Sequence, residues 1–463
     1  MDTTRRIADF VAEVTYSQIP ADTIEAAKES ILDCIGVTLA GSKEPCSRIL
    51  AEFAKQMGGE SLATIIGWRL KTSPLLAALA NGTTGHALDY DDTAPAFLYH
   101  PTVVLLPAIL ALAEANEASG QQVMEAYLTG FEVQAKLLAG LGHAGYLRGW
   151  HNTSTVGTMG ATVAAAKMLR LTGEQTAIAL GIAASEAGGL RQNFGTMTKP
   201  LHAGIACRNG VMSAILAGKG FTASENILEV PAGYGTMFGS GEECDFEMMT
   251  ADLGNPFAYP PDVVRLKPYP SCGGTHRCLD AALYLKKEYA ISAEDVAEVK
   301  CRTSDVIPNI CIHHQPRTDL EAKFSVEYCV AVALLDGKAG LAQFTDERVK
   351  DPKLQELITK VKYVHPEEMK GAVGLSNSGT GGSENILPEA VTVKLKDGRQ
   401  FFKEVPIARG CPGNPMKTDD LLAKYRACAG SVLSATDIER SIEQIFTLEK
   451  LPNINGLMKV ISG

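Results

Sequence analysis

The sequence predicts a mainly α-helical protein, with a large all-helical domain formed by both chain ends and a smaller α+β lid domain between them. Three observations carry this. Ala-rich segments with apolar residues at three- and four-residue steps fill the first half, where strand-like alternation is nearly absent. Alternation appears only later, in Val296 to Arg302 and Ala390 to Leu395. Helical spacing then returns from Thr418 to the end.

Taken in order, Pro20-Ala21-Asp22 opens a helix whose buried face runs through Ile24, Ala27, Ile31, Leu32, Ile35 and Leu39 to Gly41. Similar periodic segments cover roughly residues 45–57, 74–89, 101–118, 121–141, 154–170, 174–187 and 203–218. Small residues, as in Gly157 to Ala166, let such helices approach closely, and no fixed period suggests a solenoid. From Gly233 to Pro261 the pattern dissolves into Gly, Pro and aromatic residues, marking a crossing to the second domain. There the two alternating runs are expected as strands, with helices over Phe324 to Leu335 and Pro352 to Lys362 and a hairpin turn at Lys396-Asp397-Gly398-Arg399. Gly371 to Ser383 is expected to be a long loop. The predicted domains are therefore 1–264, helical; 265–402, the lid; and 403–463, helices returning to the first domain. A chain that crosses a boundary twice places a cleft between two lobes, a usual ligand site.

Composition narrows the function. With 463 residues, 46% hydrophobic and 21% charged, the chain is of ordinary globular type. Its net charge of -10, without a basic stripe, disfavours nucleic acid. Eleven cysteines without a C-x-x-C pair read as reduced thiols of a cytoplasmic protein rather than a zinc ribbon. The longest apolar run, Val103 to Ala113, is too short for a membrane span, and Met1 to Arg6 precede no apolar signal core. Phosphate loops, dinucleotide fingerprints, the G-x-S-x-G elbow and H-E-x-x-H are all missing, so no cofactor is expected.

Chemistry concentrates in Gly85-His86-Ala87-Leu88-Asp89-Tyr90-Asp91-Asp92-Thr93 and the following His100. If a helix ends here, His86 and Asp89 share a face while Asp91, Asp92 and Thr93 turn the chain. A capping role alone leaves unexplained why two imidazoles flank the turn. His151 precedes a helix expected from about Thr155, where the positive end of the dipole favours a neutral ring and a bound anion. Arg191, Lys199 and His202 lie ahead of a helix expected near Ala203, a natural carboxylate cradle. Lys267, Cys272 and His276 sit in a Pro- and Gly-stiffened segment, and Tyr328 either reaches the cleft or fills core.

The runs His86 to Thr93, Thr198-Lys199-Pro200-Leu201-His202-Ala203-Gly204 and Lys267-Pro268-Tyr269-Pro270-Ser271-Cys272-Gly273-Gly274-Thr275-His276 resemble the MmgE/PrpD family, in order and over nearly the whole chain. That family includes 2-methylcitrate dehydratase, cis-aconitate decarboxylase and iminodisuccinate epimerase. The resemblance implies a homodimer that works on small di- or tricarboxylates without metal or organic cofactor. Its cleft residues fall on Asp89, Thr93, His100, His151, Lys199, Lys267 and Tyr328, with His86, Arg191, His202, Cys272 and His276 as further substrate-binding candidates. Where the family's decarboxylases carry a histidine, this chain has Cys272, which moves the expectation away from decarboxylation.

The chemistry is consistent with these groups. Removing a proton α to a carboxylate needs a positioned base and cations that stabilise the charge building on neighbouring oxygens. His151 is the candidate base or acid, Lys199 and Lys267 hold carboxylates, and Asp89 orients an imidazole or takes the second proton role. Dehydration of a 2-methylcitrate-like hydroxy acid is the first expectation, epimerisation the second and decarboxylation a further outcome. A non-enzymatic helical scaffold and a metallohydrolase using His86, Asp89, Asp92 and His100 are the alternatives from other classes.

Overall fold

The computed structural model describes residues 2–94, 98–239, 244–259, 263–370 and 387–463. The chain is mainly α, with twenty α-helices and two small sheets among these residues. It divides into two compact units, one of residues 1–193, 197–264 and 417–463, the other of 194–196 and 265–416. Residues 403–416, expected with the terminal helices, thus group with the second unit.

The first unit begins with α1 (Thr3–Glu13), α2 (Ala21–Gly41) and α3 (Pro45–Met57). A short hairpin, β1 (Ala63–Ile65) and β2 (Leu70–Thr72), interrupts the helices; three-residue strands are too brief to show alternation, so the sequence did not reveal it. Then come α4 (Pro74–His86), α5 (Thr102–Ala115), α6 (Gly120–Leu141), α7 (Ala144–Leu147), α8 (Asn152–Met168), α9 (Gly173–Glu186), α10 (Thr198–Gly218) and α11 (Tyr234–Phe238). Caps set several starts: the Ser73 hydroxyl accepts the Leu76 N–H at 3.5 Å, and Ser119 and Thr172 open α6 and α9 with capping boxes.

One helix crossing organises this unit. A Cβ on Gly82 of α4 would lie 2.9 Å from the Gly204 Cα of α10, and a Cβ on Gly204 would lie 2.2 Å from the Leu79 carbonyl oxygen. Only two glycines let these backbones touch, which draws the end of α4 to the start of α10.

The second unit contains α12 (His276–Glu288), β3 (Val296–Arg302), α13 (Ile307–Ile310), α14 (Asp319–Ala322), α15 (Val326–Asp336), α16 (Asp346–Val349) and α17 (Pro352–Ile358), followed by β4 (Val361–Val364), β5 (Glu389–Leu395) and β6 (Gln400–Val405). The sheet order is β4-β3-β5-β6, with β3 and β4 parallel and the other pairs antiparallel. Lys362, expected in a helix, lies in β4: the α17 helix stops at Ile358, and Val361 enters the sheet core. α12 and α15 pack over this sheet, and α15 is buried nearly all round. The β5–β6 turn takes its left-handed residue at Gly398, φ +91°. The loop expected over Gly371 to Ser383 lies outside the described residues.

From the second unit the chain re-enters the first through α18 (Thr418–Ala429), α19 (Ala435–Phe446) and α20 (Asn455–Ile461). No helix among the described residues is long and apolar enough to cross a membrane.

Candidate active site

α4 ends at His86, and the chain then turns sharply: Asp89 takes φ +49°, a left-handed conformation uncommon for residues other than glycine. Strain of this kind persists where surrounding contacts enforce it. Here they do, because the Lys199 ammonium donates to Asp89 Oδ1 at 2.6 Å and to His86 Nε2 at 2.8 Å.

With Nε2 accepting from an ammonium, the His86 proton sits on Nδ1, which donates to Asp91 at 2.9 and 3.0 Å. Burial chiefly lowers the His86 pKa, with Lys199 adding to it, as suits this neutral tautomer. His100 completes the group: its Nδ1 lies 2.9 Å from Asp91 Oδ2, its Nε2 3.6 Å from Asp89 Oδ1, and its ring meets His86 edge-on at 4.4 Å. Burial pushes the Asp91 carboxyl up, but His100 and His86 outweigh it and hold the group well below the usual carboxylate range. Asp91 is therefore an ionised hub between two imidazoles. Asp91 is not among the site residues expected from the sequence; the signal for it is its place between His86 and His100.

His151 is the residue immediately before α8, so that helix starts three residues earlier than expected. Its carbonyl accepts the N–H groups of Ser154 and Thr155, while its side chain turns inward, placing Nδ1 3.1 Å from His202 Nδ1. One of these nitrogens donates and the other accepts. Burial, then Lys199 and the neighbouring imidazoles, hold His151 well below its ordinary pKa; burial lowers His202 to about 4. The His151 ring stacks 6.1 Å from His86.

α10 begins at Thr198 rather than near Ala203, so Lys199 and His202 lie inside its first turns. Pro200 is tolerated because N–H groups in the first turn lack intrahelical acceptors. A cation at this positive end is unfavourable by itself, and Asp89 offsets it.

The structure thus gathers His86, Asp89, His100, His151, Lys199 and His202 from α4, α10, the loop after α4 and the residue before α8. Thr93 is half-buried beside them, its Oγ1 shielded from water and without a hydrogen bond among the described residues. The Arg191 guanidinium lies 4.1 Å from the Tyr146 ring centroid and donates to the Tyr146 carbonyl at 2.7 Å. Four further candidates belong to the second unit. Lys267 is fully buried there. Cys272 is half-buried, precedes a short 3-10 turn and donates its N–H to the Lys323 carbonyl at 2.9 Å. His276 opens α12 with Nε2 3.1 Å from the Ser271 carbonyl oxygen. Tyr328 fills core on α15, and its hydroxyl donates to the Gln343 carbonyl.

A metal reading has a physical obstacle. Ligand atoms of His86, Asp89, Asp91 and His100 all lie within 4.8 Å of one another. Asp91, not the expected Asp92, belongs to that set. Two atoms of these residues, His86 Nε2 and Asp89 Oδ1, are already engaged by the Lys199 ammonium. A second cation there would meet strong repulsion.

Asp92 turns away. It accepts the Thr102 N–H at 3.2 Å and pairs with the Thr102 hydroxyl, which lies 2.6 Å from the Tyr127 hydroxyl. Burial, reinforced by Asp91 and Asp33, pushes its pKa up to about 8. Unfolding frees the proton once the pH exceeds the unfolded value near ~3.9, so this group's stabilisation is full below that pH and is lost as pH rises through about 8. Asp92→Asn keeps the shape without the titration. Its thermal midpoint is expected to vary less between about pH 4 and 8 and to match or exceed the parent above that range; an unchanged pH slope would refute the buried neutral acid.

Comparison with known proteins places the chain in a family. The MmgE/PrpD N-terminal domain matches residues 5–247 and the MmgE/PrpD C-terminal domain residues 269–449. Human cis-aconitate decarboxylase is 30% identical over 474 residues, covering 99% of this chain and 94% of that protein. The cis-aconitate decarboxylase of Aspergillus terreus strain NIH 2624 is 27% identical, covering 99% and 96%. The 2-methylcitrate dehydratase of Salmonella typhimurium is 24% identical, covering 87% and 85%. A helical unit holding a buried Lys–His–Asp cluster, with relatives that expel carbon dioxide or water from small carboxylates, defines an enzyme of the lyase class. The chain belongs to the MmgE/PrpD family.

Proposed function

We propose that the chain is a cofactor-independent lyase that decarboxylates a small tricarboxylate of the cis-aconitate type. The observation that carries this reading is the buried ammonium of Lys199, held between His86 and Asp89 in a group with three further imidazoles, His100, His151 and His202. The near-complete coverage by proteins named for cis-aconitate decarboxylation supports the choice of outcome.

In such a reaction a proton is added to one end of the carbon–carbon double bond. The bond to the departing carboxylate breaks, its electron pair forms the new double bond, and carbon dioxide leaves. One proton is consumed per turnover. His100 is assigned as the acid, since its ring nitrogens lie beside two carboxylates, those of Asp89 and Asp91. A substrate carboxylate entering beside Asp89 competes for the Lys199 ammonium, a charge-assisted bond roughly twice as strong as a neutral one. His151, kept neutral by burial just ahead of α8, is assigned as a relay: one ring nitrogen takes a proton as the other gives one up, so no charge stays on the buried ring. Lys267 retains the proposed role of a second carboxylate partner, and a cytoplasmic homodimer completes the proposal.

Cys272 favours a second reading, dehydration of a 2-methylcitrate-like hydroxy acid. An imidazole titrating near ~6.5 hands on a proton at neutral pH, whereas a thiol near ~8.5 is a weaker partner. Incubation of metal-stripped protein with cis-aconitate, 2-methylcitrate and aspartate-derived diacids in deuterated water separates the outcomes. Gas release from cis-aconitate with one deuterium per product molecule is expected. Double-bond formation from the hydroxy acid without gas selects the second reading, and deuterium at a retained stereocentre selects epimerisation. Activity abolished by chelator and restored only by a divalent metal would sink cofactor independence.

A further inference from the structure

The loop between Asp89 and Asp92 is anchored from behind by a residue distant in sequence. Lys424, on α18, donates from Nζ to the Tyr90 carbonyl at 2.8 Å and lies 3.8 Å from the centroid of the Tyr90 ring. The same ammonium pairs with Asp33 of α2 at 2.6 Å, and both side chains are almost wholly buried. α18 has little freedom there, because a Cβ on Gly36 would lie 2.8 Å from the Tyr425 ring.

The Tyr90 carbonyl belongs to the peptide unit joining Tyr90 to Asp91. Fixing its oxygen fixes that peptide plane, and with it the direction in which Asp91 leaves the backbone. Asp91 must reach His86 and His100 at once, and on the other side Asp89 must keep its left-handed conformation to meet Lys199. The two carboxylates thus flank one anchored residue, Tyr90. We propose that Lys424 is a positioning residue for the reaction, holding the Tyr90 carbonyl so that Asp89 and Asp91 face Lys199 and the two histidines. The catalytic part of this inference rests on the proposed lyase reading; the geometric part does not.

A buried ion pair tying α18 to α2 would exist without any such role, so the test must separate the two. Removing Lys424 alone would strand the Asp33 charge, a change that can unfold a protein. Asp33→Asn combined with Lys424→Met removes both charges. Lys424→Arg keeps the charge pair but replaces a point donor by a longer planar group. Each variant is compared with the parent by thermal midpoint, by kcat and KM on the acid that the parent turns over, and by the proton resonance of the His86 Nδ1–H. Both folded variants are expected to lose roughly 10- to 100-fold in kcat with KM little changed, since small misplacements of catalytic groups act on the chemical step. The His86 ring proton should shift or broaden in both. A folded variant with parental kcat and an unmoved ring proton would overturn the proposal, and Lys424→Arg alone suffices should the double variant not fold. Lack of turnover by the parent would refute the lyase reading, while the ring proton would still decide the anchoring.

Discussion

Lys199→Ala is expected to lose about 10²- to 10³-fold or more in kcat/KM, the scale on which removing a preorganised charge stabiliser acts. It is also expected to lose stability. Lys199 and Asp89 form an almost fully buried ion pair, and deleting one partner of such a pair costs about 3–5 kcal/mol, because the remaining charge stays desolvated. Two controls make this specific. Adding Asp89→Asn should recover most of the stability without recovering turnover. The single variant should also bind one divalent zinc or nickel ion, since His86, Asp89, Asp91 and His100 then present their lone pairs with no resident cation. Titration calorimetry on the parent and the variant checks this; equal, tight metal binding by both would show that the ammonium does not guard the cluster.

The second large effect is expected at Asp91. This carboxylate takes the Nδ1 proton of His86 and lies as close to His100 Nδ1. Asp91→Asn keeps the volume but offers one acceptor and one donor where two ring nitrogens expect a carboxylate. At least one imidazole must flip or change tautomer, and replacing an acid that orients a catalytic histidine typically costs up to ~10⁴ in kcat. Steady-state kinetics should show this fall in kcat with the protein still folded. A loss below about tenfold would reduce Asp91 to a turn residue.

Much of the architecture was legible in the sequence because helices announce themselves by period. α3 and α6 occupy almost the spans that the apolar pattern marks, since each keeps an apolar face and a cap. Periodicity was blind where length or identity gave it no purchase. The β1–β2 hairpin is too short, and the start of α10 was hidden by Pro200, which breaks helices in the interior but fits their first turn.

Residue types exposed the site's inventory but not its wiring. His86, Asp89 and His100 stand out as polar groups between core-forming segments. That Lys199 belongs to the same cluster follows from a helix crossing 110 residues away in sequence from Asp89, which no local spacing encodes. Arg191 and Tyr328 are named by residue type; the structure adds a ring and a carbonyl beside the first, and core packing with one carbonyl around the second.

The contact between Gly82 and Gly204 bears on how such an enzyme can diversify. Where two helices meet through side chains, each repacking of the core shifts their ends by fractions of an ångström, and every accepted substitution retunes the chemistry. Where they meet backbone to backbone, the spacing between the end of α4 and the start of α10 is a constant of the main chain. Drift in the surrounding core then leaves the lysine, histidines and carboxylates in register. Selection is free to alter the surrounding side chains without disturbing that spacing. A lineage organised this way can exchange one leaving group for another in a few steps, while a substitution at either glycine would disturb every reaction it performs.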